Sequence, residues 1–360
     1  MAGGAGERFW PLSRQHYPKQ LLKIAGNRSM LRAAVERVRS LVPPEQVYVI
    51  TSRMLKPAIE IAAEELPPGN IIAEPEGKNT AACLALACSF VRHRFPDEPD
   101  VTMIVLTADH FIHDTQAFSE DCAEAVAHAE KHNSLVTFGI MPDRPETGYG
   151  YIELGEADPD SPRIFRVGAF REKPDPETAK HFQESGRFLW NSGMFVWRTG
   201  ALCEAFREHL PGTWKQIDAM RDAFGAADPE EALAAAFEPI EKISIDVGVL
   251  ERARNVSVVK ASFDWDDIGT WGSLSRLLAR DASGNVAFGN SVLLRSENSI
   301  AYSITNGDGT ADGPIVIGLG LKDTIIVHTR DAVLVLPAGE AQKVKDVVAY
   351  LREHGLTQYL

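Results

Sequence analysis

Cysteine is scarce in this chain: four residues, Cys83, Cys88, Cys122 and Cys203, among 360. None stands in CxxC spacing, so neither a disulfide framework nor a cysteine zinc site is expected, and the four read as packed, reduced thiols. Long hydrophobic runs are missing as well. No stretch of about 18 uninterrupted apolar residues occurs, and residues 1–8 (MAGGAGER) lack a signal core, so no membrane span is expected and the location expected is cytoplasmic. Positive charge is the third deficit, with 37 Lys and Arg against 50 Asp and Glu, a net −13. Neither nucleic acid nor an anionic membrane suits that balance, and an anionic ligand must find a local basic pocket.

Several catalytic signatures are also absent. A dinucleotide fingerprint needs a third glycine where Phe9 stands, and no P-loop Gly-Lys-Ser/Thr follows the first glycines. No G-x-S-x-G elbow occurs. His128 and His132 have the i, i+4 spacing of a helical zinc pair, but the glutamate of HExxH and a third ligand are missing, so a solvated helix face is expected.

What remains is an ordinary globular composition, 44% hydrophobic and 24% charged, long enough for one large α/β domain and a smaller appendage. From about residue 29 to 140, β-branched runs alternate with helical patterns, as in βαβ units with a mostly parallel sheet. From 142 to about 269 the pattern loosens into segments broken by Gly and Pro, read as an insertion that builds a substrate lobe. Short β-like runs recur from 284 to 337, and 340–354 reads as a closing helix. No strict internal repeat is visible. The division expected is a catalytic domain over 1–280 and a small β-rich domain over 281–360.

Chemistry concentrates in a few segments. Residues 3–14 (GGAGERFWPLSR) and 18–20 (PKQ) combine close glycines, which let backbone N–H groups approach an anion, with basic side chains. Between residues 1 and 23, Arg8, Arg14, Lys19 and Lys23 face only Glu7, a reversal of the global charge that suits a polyphosphate. A glycine-rich surface turn is the competing reading of the glycines alone. Asp109 follows a buried strand, where open α/β sheets bind ligands, and Asp267 lies in WDDIGT (265–270). Each is equally readable as a turn or cap residue, but two carboxylates beside a phosphate loop suit Mg²⁺, which completes its shell with phosphate oxygens and water. For Glu172 and Lys173, a solvated charge pair before Pro174 is the better reading from composition alone.

In order and spacing, GGAGERFWPLSRQHYPKQLL, EPEGKNTAA, ADHFI, FGIMPDRPETGYGYI, FREKPD, LWNSGMFVW, SID and WDDIGTW resemble the sugar nucleotidyltransferases, in particular the bacterial mannose-1-phosphate guanylyltransferases, over nearly the whole chain. The resemblance implies a doubly wound, Rossmann-like α/β nucleotidyltransferase core followed by a small C-terminal β-helix-like domain, in a form without the isomerase domain fused to many members. By motif, Gly3, Gly4, Gly6 and Arg8 would cradle a triphosphate, and Lys19 would neutralise it and help pyrophosphate leave. Glu74, Asn79 and Thr80 would lie near the base, and Asp109 and Asp267 would hold the metal. Gly150, Glu172 and Asn191 match sugar-lobe positions, and Lys173 matches the lysine that holds the sugar 1-phosphate. The implied reaction is direct in-line attack of mannose 1-phosphate on the α-phosphorus of GTP, assisted by Mg²⁺, giving GDP-mannose and pyrophosphate. Homo-oligomers, dimers among them, are expected from the resemblance alone.

Departures from the family pattern give further expectations. Only Met1 and Ala2 precede Gly3, too few for the strand that relatives place there, so either a strand lies upstream of this sequence or the core is built without one; the former is expected. Thr107 and Ala108 before Asp109, and Val247 and Gly248 after SID, put fine geometry in question. The rival readings are a sibling enzyme for another sugar 1-phosphate or nucleotide, and a non-catalytic sugar-nucleotide-binding subunit.

Overall fold

The computed structural model describes residues 1–4, 6–24, 28–98, 100–304 and 313–360. Helix α1 (Met30–Arg37) begins where Ser29 accepts the Arg32 N–H, the cap expected of a serine before an apolar periodic run. The chain then alternates through β1 (Val49–Ser52), α2 (Lys56–Ala62), β2 (Ile71–Glu74), α3 (Asn79–Arg94), β3 (Thr102–Val105), α4 (Thr115–His132) and β4 (Leu135–Ile140). It continues through β5 (Gly150–Asp158), β6 (Ser161–Glu172), α5 (Pro176–Ser185), β7 (Phe188–Arg198), α6 (Thr199–His209), α7 (Pro211–Ala223), α8 (Pro229–Phe237) and β8 (Val256–Lys260).

These strands form a six-stranded sheet in the order β3-β7-β4-β8-β6-β5 and a separate parallel pair, β1-β2. Strand β7 lies antiparallel between β3 and β4, so the sheet is mixed although β3 and β4 share one direction. Residues 142–269 are therefore not a lobe added to a finished core. They supply β5 to β8, and three of these, β6, β7 and β8, are interior strands of the main sheet. Their burial pattern explains why the segment reads as irregular. Along β7, Phe195 and Trp197 join α3, α6, α7 and α8 on one face, while Met194 and Val196 join α4 and α5 on the other. Both faces are covered, so the apolar run shows no amphipathic alternation.

Between the β1-β2 pair and β3 lie Met1 and Ala2, which bond to both sides. Met1 donates its amino group to Leu106 O at 2.8 Å, Ala108 N donates to Met1 O, and Ala2 N donates to Ile50 O. Beyond these contacts lies an apolar cavity of about 690 Å³ lined by Val35, Val49, Phe90, Met103, Ile104 and Val105 among others.

After β8 come the short α9 (Leu274–Leu277) and a coil of strands β9 (Val286–Gly289), β10 (Ser291–Leu294), β11 (Ile300–Ser303), β12 (Val316–Leu319), β13 (Thr324–His328) and β14 (Val333–Pro337), closed by α10 (Val344–Glu353). Strands β9, β11 and β13 stack in parallel, as do β10 and β12, while β14 closes the first stack antiparallel. This is a short β-helix. Ile300 pairs with Ile325 and Ser291 with Val316, so the chain rises by one coil without a strict sequence repeat. The coil shares a core with the start of the chain: Phe9, Trp10, Leu22 and Met30 pack with Trp271, Tyr302, Ile325 and Val344.

Candidate active site

The glycine loop is tied to the rest of the site at Gly6. Its backbone is left-handed, with φ of 62°, and a Cβ there would lie 2.4 Å from Lys19 Cβ. Only glycine allows that approach. Lys19 is 6% exposed, and its Nζ donates to Asp109 Oδ2 at 2.9 Å and to the Asp267 carbonyl at 2.5 Å. One ammonium thus holds together the loop after β3 and the WDD turn, segments 158 residues apart in sequence (267 less 109). Gly3, Gly4 and Arg8 are exposed, Gly3 close to the Glu74 carboxylate. Arg14, counted among the basic residues of the loop, turns away: its guanidinium donates to Tyr359 O and pairs with Asp331 of the coil.

The two aspartates differ in their electrostatics. Burial alone would raise the Asp109 carboxyl, but Lys19 and His110 outweigh it and hold it below the ordinary range. Burial raises Asp267, against the opposing effects of the Tyr149 hydroxyl, which donates to Oδ1, and of Lys19. Burial likewise holds the Tyr149 phenol well above its usual value, so it stays a donor. The neighbouring Asp266 is committed elsewhere. It is bound in fork fashion by Arg276 and caps the Ile268 N–H, which leaves Asp267 as the aspartate of the pair that meets Lys19 and Tyr149. A cluster of two carboxylates, one of them under-compensated, offers hard oxygen donors of the kind a divalent ion takes.

Tyr149 leads from this pole to the next. Its carbonyl accepts the Lys173 N–H, and Lys173, 63% exposed at the side chain, extends Nζ to Glu172 Oε1 at 2.7 Å. Gly150 pairs with Glu172 across β5 and β6, and a Cβ at Gly150 would lie 2.7 Å from Glu172 Oε2. Asn191, on β7, donates to Asp246 Oδ1 at 2.7 Å and accepts from Thr137. Burial, with Glu172 nearby, raises the Asp246 carboxyl. Adjacent to Asp246, the Ile245 N–H donates to Thr80 Oγ1, while Asn79, at φ of 71°, accepts the Thr80 N–H at the start of α3. The contacts thus run from the glycine loop through Lys19, the aspartates and Tyr149 to Lys173, Glu172 and Gly150. The Ile245–Asp246 pair joins Thr80, through the Ile245 N–H, to Asn191, through the Asp246 carboxylate, and Glu74 lies back beside Gly3.

A nucleotidyl transferase family model matches residues 1–284, and a model of the MannoseP isomerase/GMP-like β-helix domain matches 289–351. The chain is 40% identical over 370 residues to the mannose-1-phosphate guanylyltransferase of Escherichia coli K12 and 38% identical to that of Salmonella typhimurium LT2. Each match covers 99% of this chain and 73% of the relative. The chain belongs to the mannose-1-phosphate guanylyltransferase family. The solved structure of mannose-1-phosphate geranyltransferase from Thermus thermophilus superposes with a TM-score of 0.85 at 33% identity, covering 98% of each chain.

Within the guanylyltransferase frame, sequence reasoning passed over four residues that the fold places in or against this network. His110, next to Asp109, accepts the Trp265 indole N–H at Nδ1, and burial holds its imidazole at about 4, so it is neutral near pH 7. Tyr149 links the poles, and Asp246 orients Asn191. Arg144 lies over the Trp190 ring, 4.8 Å from its centroid. All four stand inside or beside motifs that the sequence displays, but nothing in those strings says which polar side chains meet.

Proposed function

We propose that this guanylyltransferase transfers GMP from GTP to α-D-mannose 1-phosphate with Mg²⁺, releasing pyrophosphate. The observation that carries the reading is Lys19, buried under the glycine loop and hydrogen-bonded to both aspartate segments. A polyphosphate on that loop meets a fixed cation at the point where charge builds on the leaving pyrophosphate. Gly3, Gly4 and Gly6 present backbone N–H groups, and Arg8 closes on the phosphates. Glu74, Asn79 and Thr80 face the base. Asp109 and Asp267 are the residues that would hold Mg²⁺, which when bound polarises the phosphoryl oxygens and neutralises their charge.

Lys173 and Glu172, exposed and paired, are assigned to the sugar phosphate: the ammonium takes the phosphate, and Glu172, Gly150 and Asn191 bound the sugar. The attacking phosphate oxygen is already ionised near pH 7, so the chain supplies position and charge rather than a general base, and no covalent intermediate is required. The catalytic domain is taken to end at 280. The molecule is taken to act in the cytoplasm as a homo-oligomer, and no helix among the described residues is long and apolar enough to cross a membrane.

The test is pyrophosphate release from GTP and mannose 1-phosphate, with EDTA and GTP-only controls. Release that needs both metal and sugar phosphate is expected. Asp109→Ala should abolish it, and Lys173→Ala should chiefly raise KM for the sugar phosphate. Unchanged turnover in the Asp109 variant overturns the metal assignment, and saturable GDP-mannose binding without turnover favours a binding subunit.

A further inference from the structure

Helix α4 carries His128 and His132 one turn apart near its C-terminal end, and the fold supplies the third ligand that the sequence lacks. Asp158, the last residue of β5, places Oδ2 3.5 Å from His128 Nδ1 and 3.8 Å from His132 Nε2. The three donor atoms all lie within 4.8 Å of one another. Asp158 pairs with Ser161 where β5 turns into β6, so the hairpin tip is what carries the carboxylate to the helix. The site corrects the expected solvated helix face: the His128 side chain is only 9% exposed and that of Asp158 12%.

The histidine orientations are those of ligands. Ser257 Oγ, on β8, lies 3.0 Å from His128 Nε2, so that ring is held from behind while Nδ1 faces Asp158. The two imidazoles are 4.5 Å apart, centre to centre, with His132 39% exposed on the solvent side. A cavity of about 360 Å³, lined by the three residues together with Glu156, Arg166 and Ser257, adjoins them. Metal bonds of about 2.0–2.1 Å to nitrogen and oxygen put tetrahedral donors about 3.3 Å apart, so closing on an ion shortens the two spacings to Asp158 by about half an ångström or less.

We propose that His128, His132 and Asp158 form a second metal site, for a borderline transition ion such as Zn²⁺ with water completing the shell, which staples the β5-β6 turn to the end of α4. Two imidazoles and one carboxylate select against Mg²⁺, which prefers an all-oxygen octahedron and keeps its water. The site is remote from Lys19 and the aspartates. The start of α4 approaches the WDD segment through Asp264, which accepts the His113 and Asp114 N–H groups, and thirteen residues of helix carry the chain about 20 Å further to His128.

The test is a titration of the full chain with Co²⁺, a coloured stand-in for Zn²⁺, in excess Mg²⁺ so that the oxygen-rich site is held by magnesium. One equivalent of Co²⁺ with visible bands of a four- or five-coordinate ion is expected, displaced by Zn²⁺. His132→Ala and Asp158→Asn should each weaken binding at least tenfold. His132→Ala should leave Mg²⁺-dependent pyrophosphate release unchanged. Co²⁺ should also broaden the ring proton signals of His128 and His132 in NMR spectra, a readout that needs no variant. Absence of Co²⁺ binding, equal affinity in the native chain and both variants, or broadening confined to other residues overturns the proposal.

Discussion

The two flanks of the glycine loop are held by different means. On the C-terminal side, Phe9 and Trp10 are buried in an aromatic cluster with Trp271 of the WDDIGTW segment and Tyr302 of the coil, with Phe9 and Trp271 centroids 5.0 Å apart, and the Trp271 indole donates to Trp10 O. On the N-terminal side, Met1 and Ala2 contribute backbone hydrogen bonds beside a cavity, and their apolar contacts are those of two small segments of core: Ala2 with Leu21, Leu31 and Ala108, and Met1 at the edge of the α3 cluster. Thr51 Oγ1 and Gln20 Nε2 both donate to Ala2 O, which pins the chain without filling the space around it. Polar pinning fixes a position, whereas packing supplies most of the free energy. The phosphate loop is therefore anchored chiefly on its C-terminal side, by Trp271 of the catalytic domain backed by Tyr302 of the coil.

The largest way to break this asymmetry is Trp271→Ala, which empties the packed flank. A loss of about 3–5 kcal/mol is expected, read from the shift in urea midpoint, with glycine-loop activity failing alongside it. Next is Gly6→Val, which meets both the left-handed backbone and Lys19. A fall in kcat on the order of 10²-fold with the far-UV CD spectrum kept is the expected result, since Lys19 is displaced rather than the core.

The open flank ends at His110, two residues past the hydrogen bond between Ala108 and Met1. Because burial holds this imidazole at about 4 against an ordinary 6.5, the unfolded chain binds the extra proton between those values. Stability should therefore fall as pH drops through that window, by up to about 3 kcal/mol, and His110→Phe should flatten the dependence in metal-free urea melts.

A smaller effect, of opposite sign, comes from the cavity itself. An extension of about five apolar, β-branched residues joined to Met1 should raise stability by about 1–3 kcal/mol, since burial outweighs ordering, while an Asp-rich extension should not. The smallest is Arg352→Ala, which removes an exposed pair with Glu7 bridging coil and loop. A change within about 0.5 kcal/mol is expected in the same melts.

Much of this was legible in the chain. The alternation from residue 29 to 140, the cap at Ser29 and the β-rich end follow from periodicity and turn residues. The position of β7 was not legible, because a strand covered on both faces shows no alternation and antiparallel insertion between β3 and β4 is a long-range choice. Nor was the division of labour between the paired aspartates. Asp266 and Asp267 are identical as letters, and only Arg276 on α9 decides which is spent on structure. Likewise His128 and His132 look incomplete until a hairpin tip twenty-six residues beyond His132 arrives with Asp158.

The residue order by itself determined the chemistry available: glycines where the backbone must turn left-handed, a basic cluster in an acidic chain, and carboxylates after strands. These are local properties, settled by sterics and charge within a few residues. The tertiary structure alone decided which of those groups meet: Arg14 leaving the loop for the coil, Lys19 joining segments far apart, Tyr149 linking two poles, and Asp158 completing a histidine pair. Such meetings depend on how the faces of the sheet and coil are buried, a sum over many distant contacts that no single segment encodes.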